Sequence, residues 1–259
     1  MKLPDKLEQR LAGRPYAEEH TGLSAAQVLV YDDCVLKVEP RTQKAADHVR
    51  MLEWMQGKLP VPAVLCCETD AERQYLLMSR IQGEMACSPR YMEQPARQVQ
   101  LLAEAMQLLW NTDVTGCPIV RKLDDMLEAG AERVEKHLVH TDDPDIFGPD
   151  GFYSPHKLLE WLKQNRPEPD PALSHGDFCL PNILLADDRL SGMIDLGDAC
   201  VFDRWYDIAL CWQSMYRNYN GFYGGAVYSG WDPMRLFEVL GIAPDWNRIR
   251  YYICLDALF

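Results

Sequence analysis

Along the first eighty residues, apolar and polar positions follow the two-residue period of strands, interrupted once by a helical stripe. Segments 27–31 and 34–38 are apolar and rich in β-prone residues. They meet at Asp32 and Asp33, a spacing that predicts a hairpin with a short turn. Over 44–56 the period becomes helical: Ala45, His48, Val49, Leu52 and Met55 share one stripe, and Gly57 ends it. Pro60 and Pro62 lack the backbone donor that would prolong that helix. A second hairpin, 64–68 with 74–81, is expected around the polar turn 69–73. Beyond Gln82 and Gly83 the helical period dominates. Pro95 opens a helix carrying Val99, Leu102, Met106 and Leu109, Ser154 is placed to cap a helix over 156–164, and another helix is expected over 203–217. An acidic loop, 141–151, separates the first two. No internal repeat is present. The expected organisation is a β-rich N-terminal unit, 1–83, hinged to a larger helical unit, 84–259.

Composition narrows the class of protein. The 259 residues are 47% hydrophobic and 25% charged, the balance of a folded globular chain. Lys and Arg number 26 against 39 Asp and Glu, a net charge of -13. That field disfavours nucleic acid and anionic membrane surfaces as partners and favours a cationic small molecule. Nine cysteines, none in the two-residue spacing of zinc or redox pairs, read as reduced thiols. With no apolar run at the N-terminus and no stretch of membrane-spanning length, the expected compartment is the cytoplasm.

The chemistry is concentrated in two stretches. Segment 174–185 carries His175, Gly176, Asp177 and Asn182, and segment 192–197 carries Asp195, Leu196 and Gly197. A carboxylate, an amide five positions later and a second carboxylate beyond an apolar hairpin suit phosphoryl transfer. One Asp orients a hydroxyl and accepts its proton, while the Asn and the other Asp hold magnesium against nucleotide phosphates.

These residues, together with 22–24, 35–37, 57–62, 76–79, 191–197, 203–207 and 251–259, make the chain resemble the aminoglycoside phosphotransferases, and among them the 3'-phosphotransferases. The resemblance implies an α+β, bilobal protein-kinase-like fold with a small β-rich N-terminal lobe and a larger, mainly helical C-terminal lobe. It implies phosphorylation of an aminoglycoside hydroxyl, the 3'-hydroxyl in that subgroup, with ATP or GTP as donor and Mg2+ as the metal, and thereby antibiotic resistance. By position, Asp177 would be the catalytic base and Asn182 and Asp195 the metal ligands. Lys37 and Ser24 would hold the nucleotide phosphates, and Met78, Ser79 and Ile81 would form the hinge against the base. Asp207 would brace the catalytic loop. Asp177, Asp145, Asp256 and Phe259, with the terminal carboxylate, would meet the cationic substrate. Four positions depart from relatives. His48 stands where a helical Glu pairs with the lysine, Val35 where an aromatic residue stacks on adenine, Asp198 where a basic residue is common, and Ala257 where a Glu is found. Lys37 is therefore expected to lack its carboxylate partner unless Asp47 supplies one. Two other readings stay open at this point: a kinase of another small hydroxylated metabolite, and a catalytically impaired binding protein.

Overall fold

The computed structural model describes residues 3–19 and 26–259, so Gly22, Leu23 and Ser24 lie outside the described residues. The first eighty residues form an antiparallel sheet in the order β1 (Ala17–Glu19), β2 (Gln27–Val30), β3 (Cys34–Pro40), β5 (Arg73–Ser79) and β4 (Val64–Thr69). Both predicted hairpins are present. In the second, the Asp70 carboxylate accepts from the N–H groups of Glu72 and Arg73 and from the Tyr75 hydroxyl, which closes the turn.

The strand period sorts side chains to two faces. Cys34, Leu36 and Val38 of β3, with Tyr75 and Leu77 of β5, pack on Leu7 and Leu11 of helix α1 (Asp5–Leu11). Leu76 and Met78 face the other way, toward helix α2 (Gln43–Met55) and the main core. Since Lys37 is paired with Leu76 across the ladder, it too lies on this second face. On α2 the buried stripe is Ala45, His48, Met51, Leu52 and Met55, with Val49 only half-buried at its margin.

After Gly83 the chain adds β6 (Glu84–Met85), α3 (Pro89–Met92), α4 (Pro95–Trp110), α5 (Leu123–Glu135), α6 (Pro144–Phe147), α7 (Pro155–Gln164) and β7 (Pro171–Ser174). It continues through β8 (Ile183–Ala186), β9 (Arg189–Met193), β10 (Cys200–Asp203), α8 (Arg204–Tyr219), α9 (Arg235–Leu240) and α10 (Trp246–Asp256). β6, β8 and β9 form one small sheet, and β7 and β10 another. Ser154 caps α7 by accepting from the Lys157 N–H, as its position predicts. The expected acidic loop contains a one-turn helix, α6, because Asp143 caps it and Pro144 opens it. No helix among the described residues is long and apolar enough to cross a membrane. All nine cysteines are free thiols.

The chain end is docked. Leu258 is fully buried. It packs so closely on α5 that a Cβ at Gly130 would come within 2.6 Å of its Cδ1. Arg133, one turn on, donates to the carbonyl oxygens of Leu258 and Phe259, at 2.7 Å each. Leu258→Ala is expected to cost about 2–5 kcal/mol, the usual penalty for emptying a buried leucine site. Chemical denaturation checks it, and an unchanged midpoint would mean that the tail is not packed.

Candidate active site

A cleft of about 340 Å³ lies between the five-stranded sheet and the β8–β9 hairpin. Lys37, Met78, Ser79, Ile81, Asn182 and Asp195 all line it. Part of its wall is apolar, formed by Val28, Val30 and Val35, so Val35 presents an aliphatic rather than an aromatic surface to the cleft. At the hinge, the Ser79 hydroxyl is occupied in accepting from the Ala63 N–H at 2.8 Å. The Ile81 N–H makes no hydrogen bond among the described residues, so it is free to meet the edge of a base.

The catalytic loop between β7 and β8 is shaped from below. The fully buried Asp207 carboxylate of α8 accepts from the Ser174 hydroxyl at 2.9 Å, the His175 N–H at 2.9 Å and the Gly176 N–H at 3.2 Å. Burial raises the Asp207 pKa, and those three donors with His175 pull it back only in part. Gly176 adopts φ +81°, and a Cβ there would lie 2.3 Å from the Asp198 carbonyl oxygen, so only glycine lets the loop pass. Farther along, the Ser214 hydroxyl of α8 accepts from the Leu180 N–H at 3.0 Å.

This bracing sets the acceptors. Asn182 Nδ2 donates to Asp177 Oδ2 at 2.8 Å and to the Asp177 carbonyl at 3.0 Å. Its amide is thereby turned so that Oδ1 is left for another partner. The Asn182 carbonyl accepts from the Ile194 N–H at 2.9 Å, which ties the catalytic loop to Asp195. Asp195 has φ +56°, a strained backbone for a non-glycine residue and one that tends to occur at functional sites. An amide oxygen and one carboxylate facing an open cleft fit magnesium, which keeps several ligand positions for water and phosphate oxygens. Among the described residues no three His, Cys, Asp or Glu side chains converge into a closed metal cage.

Lys37 departs from expectation. His48 does point inward from α2 into the cleft, as its stripe predicts. Burial first, and the Lys37 charge second, lower its pKa to about 4, so the imidazole stays neutral, and it has no anionic form with which to pair the lysine. Asp47 does not replace it, because that carboxylate is bonded to Gln43 and Arg50. Yet Lys37 is not without a carboxylate: its Nζ lies 2.9 Å from Asp195 Oδ1 and 3.7 Å from Glu39 Oε2. The cleft's poor solvation raises the Asp195 pKa, but Lys37 more than offsets this and holds the carboxyl below its usual range. Asp198 is likewise paired, with Lys44 of α2 and with Arg121.

Of the residues expected to meet a cationic substrate, Asp256 lies close enough to Asp177 to feel its charge. Asp256 Oδ1 accepts from the Tyr206 hydroxyl at 2.7 Å. Asp145 and Asp143 flank the Arg217 guanidinium, so Asp145 is partly neutralised. Phe259 follows Asp256 by one turn, and Arg133 sits beside its oxygen, so the chain end is no unpaired anion. Sequence reasoning gave Ser174 no role although it heads the motif, and it missed Ser214 and Glu39, polar residues with no motif of their own. It also missed Cys179, whose thiol is pushed up by burial and then by Asp177 and so stays protonated beside the loop.

A cleft between a small antiparallel sheet and a helical unit, with acceptors on two adjoining loops, defines a protein-kinase-like phosphotransferase. Residues 18–250 match the model of the phosphotransferase enzyme family APH. An aminoglycoside 3'-phosphotransferase of Enterococcus faecalis is 36% identical over 211 residues, covering 81% of this chain and 76% of that protein. One of Staphylococcus aureus is 35% identical, covering 81% and 77%. The aminoglycoside phosphotransferase APH(3'')-Id of Streptomyces rimosus superposes with a TM-score of 0.81 at 24% identity, covering 97% of this chain and 95% of that one. Its complex with ADP and streptomycin superposes with a TM-score of 0.78. The chain belongs to this phosphotransferase family and, within it, to the aminoglycoside phosphotransferases.

Burial, and then the charges of Asp177 and Asp198, push the Asp256 pKa up to about 6, although the Tyr206 bond opposes the shift. The folded protein therefore holds a proton there that the unfolded chain releases near pH 4, and ionisation above pH 6 costs stability. Asp256→Asn keeps an acceptor for Tyr206 and removes that cost. Its Tm should exceed that of the wild type by about 2–4 °C at pH 8, with the gain shrinking toward pH 4. Melting curves across that range check it; a gain largest at acid pH would contradict the assignment.

Proposed function

We propose that this enzyme transfers the γ-phosphoryl group of ATP or GTP to the 3'-hydroxyl of an aminoglycoside. The observation that carries the reading is the Asn182 amide, whose NH2 group fixes Asp177 while its oxygen is left to accept in the cleft that Asp195 also lines. Asp177 Oδ1 accepts the proton of the substrate hydroxyl as its oxygen bonds to the γ-phosphorus. The bond to the β–γ bridging oxygen breaks, and a nucleoside diphosphate leaves. Asn182 Oδ1 and Asp195 would hold Mg2+, which when bound neutralises charge on the phosphates. Lys37 meets the phosphates, and the backbone from Met78 to Ile81 meets the base. The 3'-position is supported by the Enterococcus and Staphylococcus relatives, and the nucleotide by the ADP complex of the Streptomyces enzyme.

In this reading residues 1–83 grip the nucleotide and 84–259 carry the catalytic loop and the drug site. Ammonium groups of the substrate meet Asp256 and Asp145, with Phe259 at the margin, and the net charge of -13 draws the polycation in. The free thiols suit a reducing cytoplasm. Asp177→Asn preserves the size of the side chain and its contact with Asn182 but loses the proton acceptor. Turnover at saturating substrate should fall at least ~10²-fold with Tm little changed. A coupled nucleotide-turnover assay measures it, and near wild-type kcat would remove Asp177 from the role of base.

A further inference from the structure

Lys37 must hold its ammonium in the cleft, and the carboxylate nearest to it, Asp195, is also the one proposed for the metal. A carboxylate shared with a divalent ion is not a dedicated partner for a lysine. α2 offers none, since His48 is the residue it turns inward. β3 does. Lys37 and Glu39 are two residues apart on one strand, so both side chains stand on the face opposite Leu36 and Val38. Their side chains are only 13% and 16% exposed. Glu39 Oε2 lies 3.7 Å from Lys37 Nζ, while Glu39 Oε1 is buried with no hydrogen-bond partner. A carboxylate oxygen left buried and unpaired is costly to the fold unless it serves a nearby cation.

We propose that Glu39 is the positioning residue for Lys37, a strand-borne carboxylate that takes the place of the helical one absent at His48. The inference rests on the phosphotransferase reading, in which Lys37 meets the nucleotide phosphates. An anion on the same strand holds the ammonium toward the cleft without requiring α2 to swing in. The grip is therefore built into β3.

The test is MgADP binding by calorimetry without aminoglycoside, alongside steady-state kinetics. Glu39→Gln should weaken MgADP at least about tenfold and raise the nucleotide KM similarly, with the aminoglycoside KM unchanged. Glu39→Asp, which keeps the charge but draws it back by one methylene, should lose less, and it serves where the amide variant does not fold. Adding His48→Glu to either variant should restore most of the affinity, because the inward face of α2 then delivers a carboxylate to the same lysine. A merely structural role for Glu39 would lower Tm without this nucleotide-selective loss and without rescue. Wild-type MgADP affinity in the folded variant, or a loss that His48→Glu leaves uncorrected, overturns the inference. Failure of the wild-type protein to bind MgADP would instead overturn the phosphotransferase reading on which it stands.

Discussion

The buried carboxylate of Asp207 is the constraint on which the site depends. One side chain from the first turn of α8 collects a hydroxyl and two successive backbone N–H groups at 174–176, with the Ser174 hydroxyl also accepting from the Gly176 N–H. The loop must then turn sharply at Gly176, which sets Asp177 against Asn182, a residue that lines the cleft. Ser214, two turns along the same helix, fixes Leu180 and so the far end of the loop. The helix and loop thus define each other. The residual cost of burying Asp207, seen in its raised pKa, is the kind of strain that a structure retains at a working site.

Electrostatics divide the cleft into two regions. In the cleft, the Lys37 ammonium is held between Asp195 and Glu39, where the proposed reading puts the nucleotide phosphates. Around Asp256, burial and the charges of Asp177 and Asp198 raise the cost of ionising its carboxyl, Arg217 offsets part of it, and Lys44 pairs with Asp198. An acidic region that is uncomfortable when empty is one that a polycation relieves. On the proposed reading, in which Asp256 meets an ammonium group, stability and substrate affinity are opposed there.

Much of this was legible in the chain because the chemistry is local. The hairpins around Asp32 and Asp70, the Pro95 and Ser154 helix starts, and the spacing of Asp177, Asn182 and Asp195 all lie within short windows. The misses have physical reasons. α5 buries only Met126, Leu127, Gly130 and Val134 among many charges, so its stripe is thin. In α10 the aromatic pair Tyr251 and Tyr252 occupies adjacent positions, so apolar density obscures the helical period. The inward aim of His48 follows from its stripe, but the conclusion that Lys37 lacks an anion does not hold. It considered only partners on the helix, whereas the strand's own alternation places Glu39 beside the lysine. Asp207 carries no local sign of its role, because its three donors lie more than thirty residues away in sequence, and only the family resemblance points to it as the brace of the loop.

The account stands most directly on the identity of the product. After incubation of the protein with MgATP and an aminoglycoside that bears a 3'-hydroxyl, two-dimensional proton–phosphorus NMR locates the new phosphate. A single phosphomonoester coupled to the proton on carbon 3', with one equivalent of ADP formed, is the result that the cleft and its loops predict. A phosphate on another hydroxyl would contradict the 3'-assignment, and ADP release with no phosphorylated drug would contradict the transfer itself.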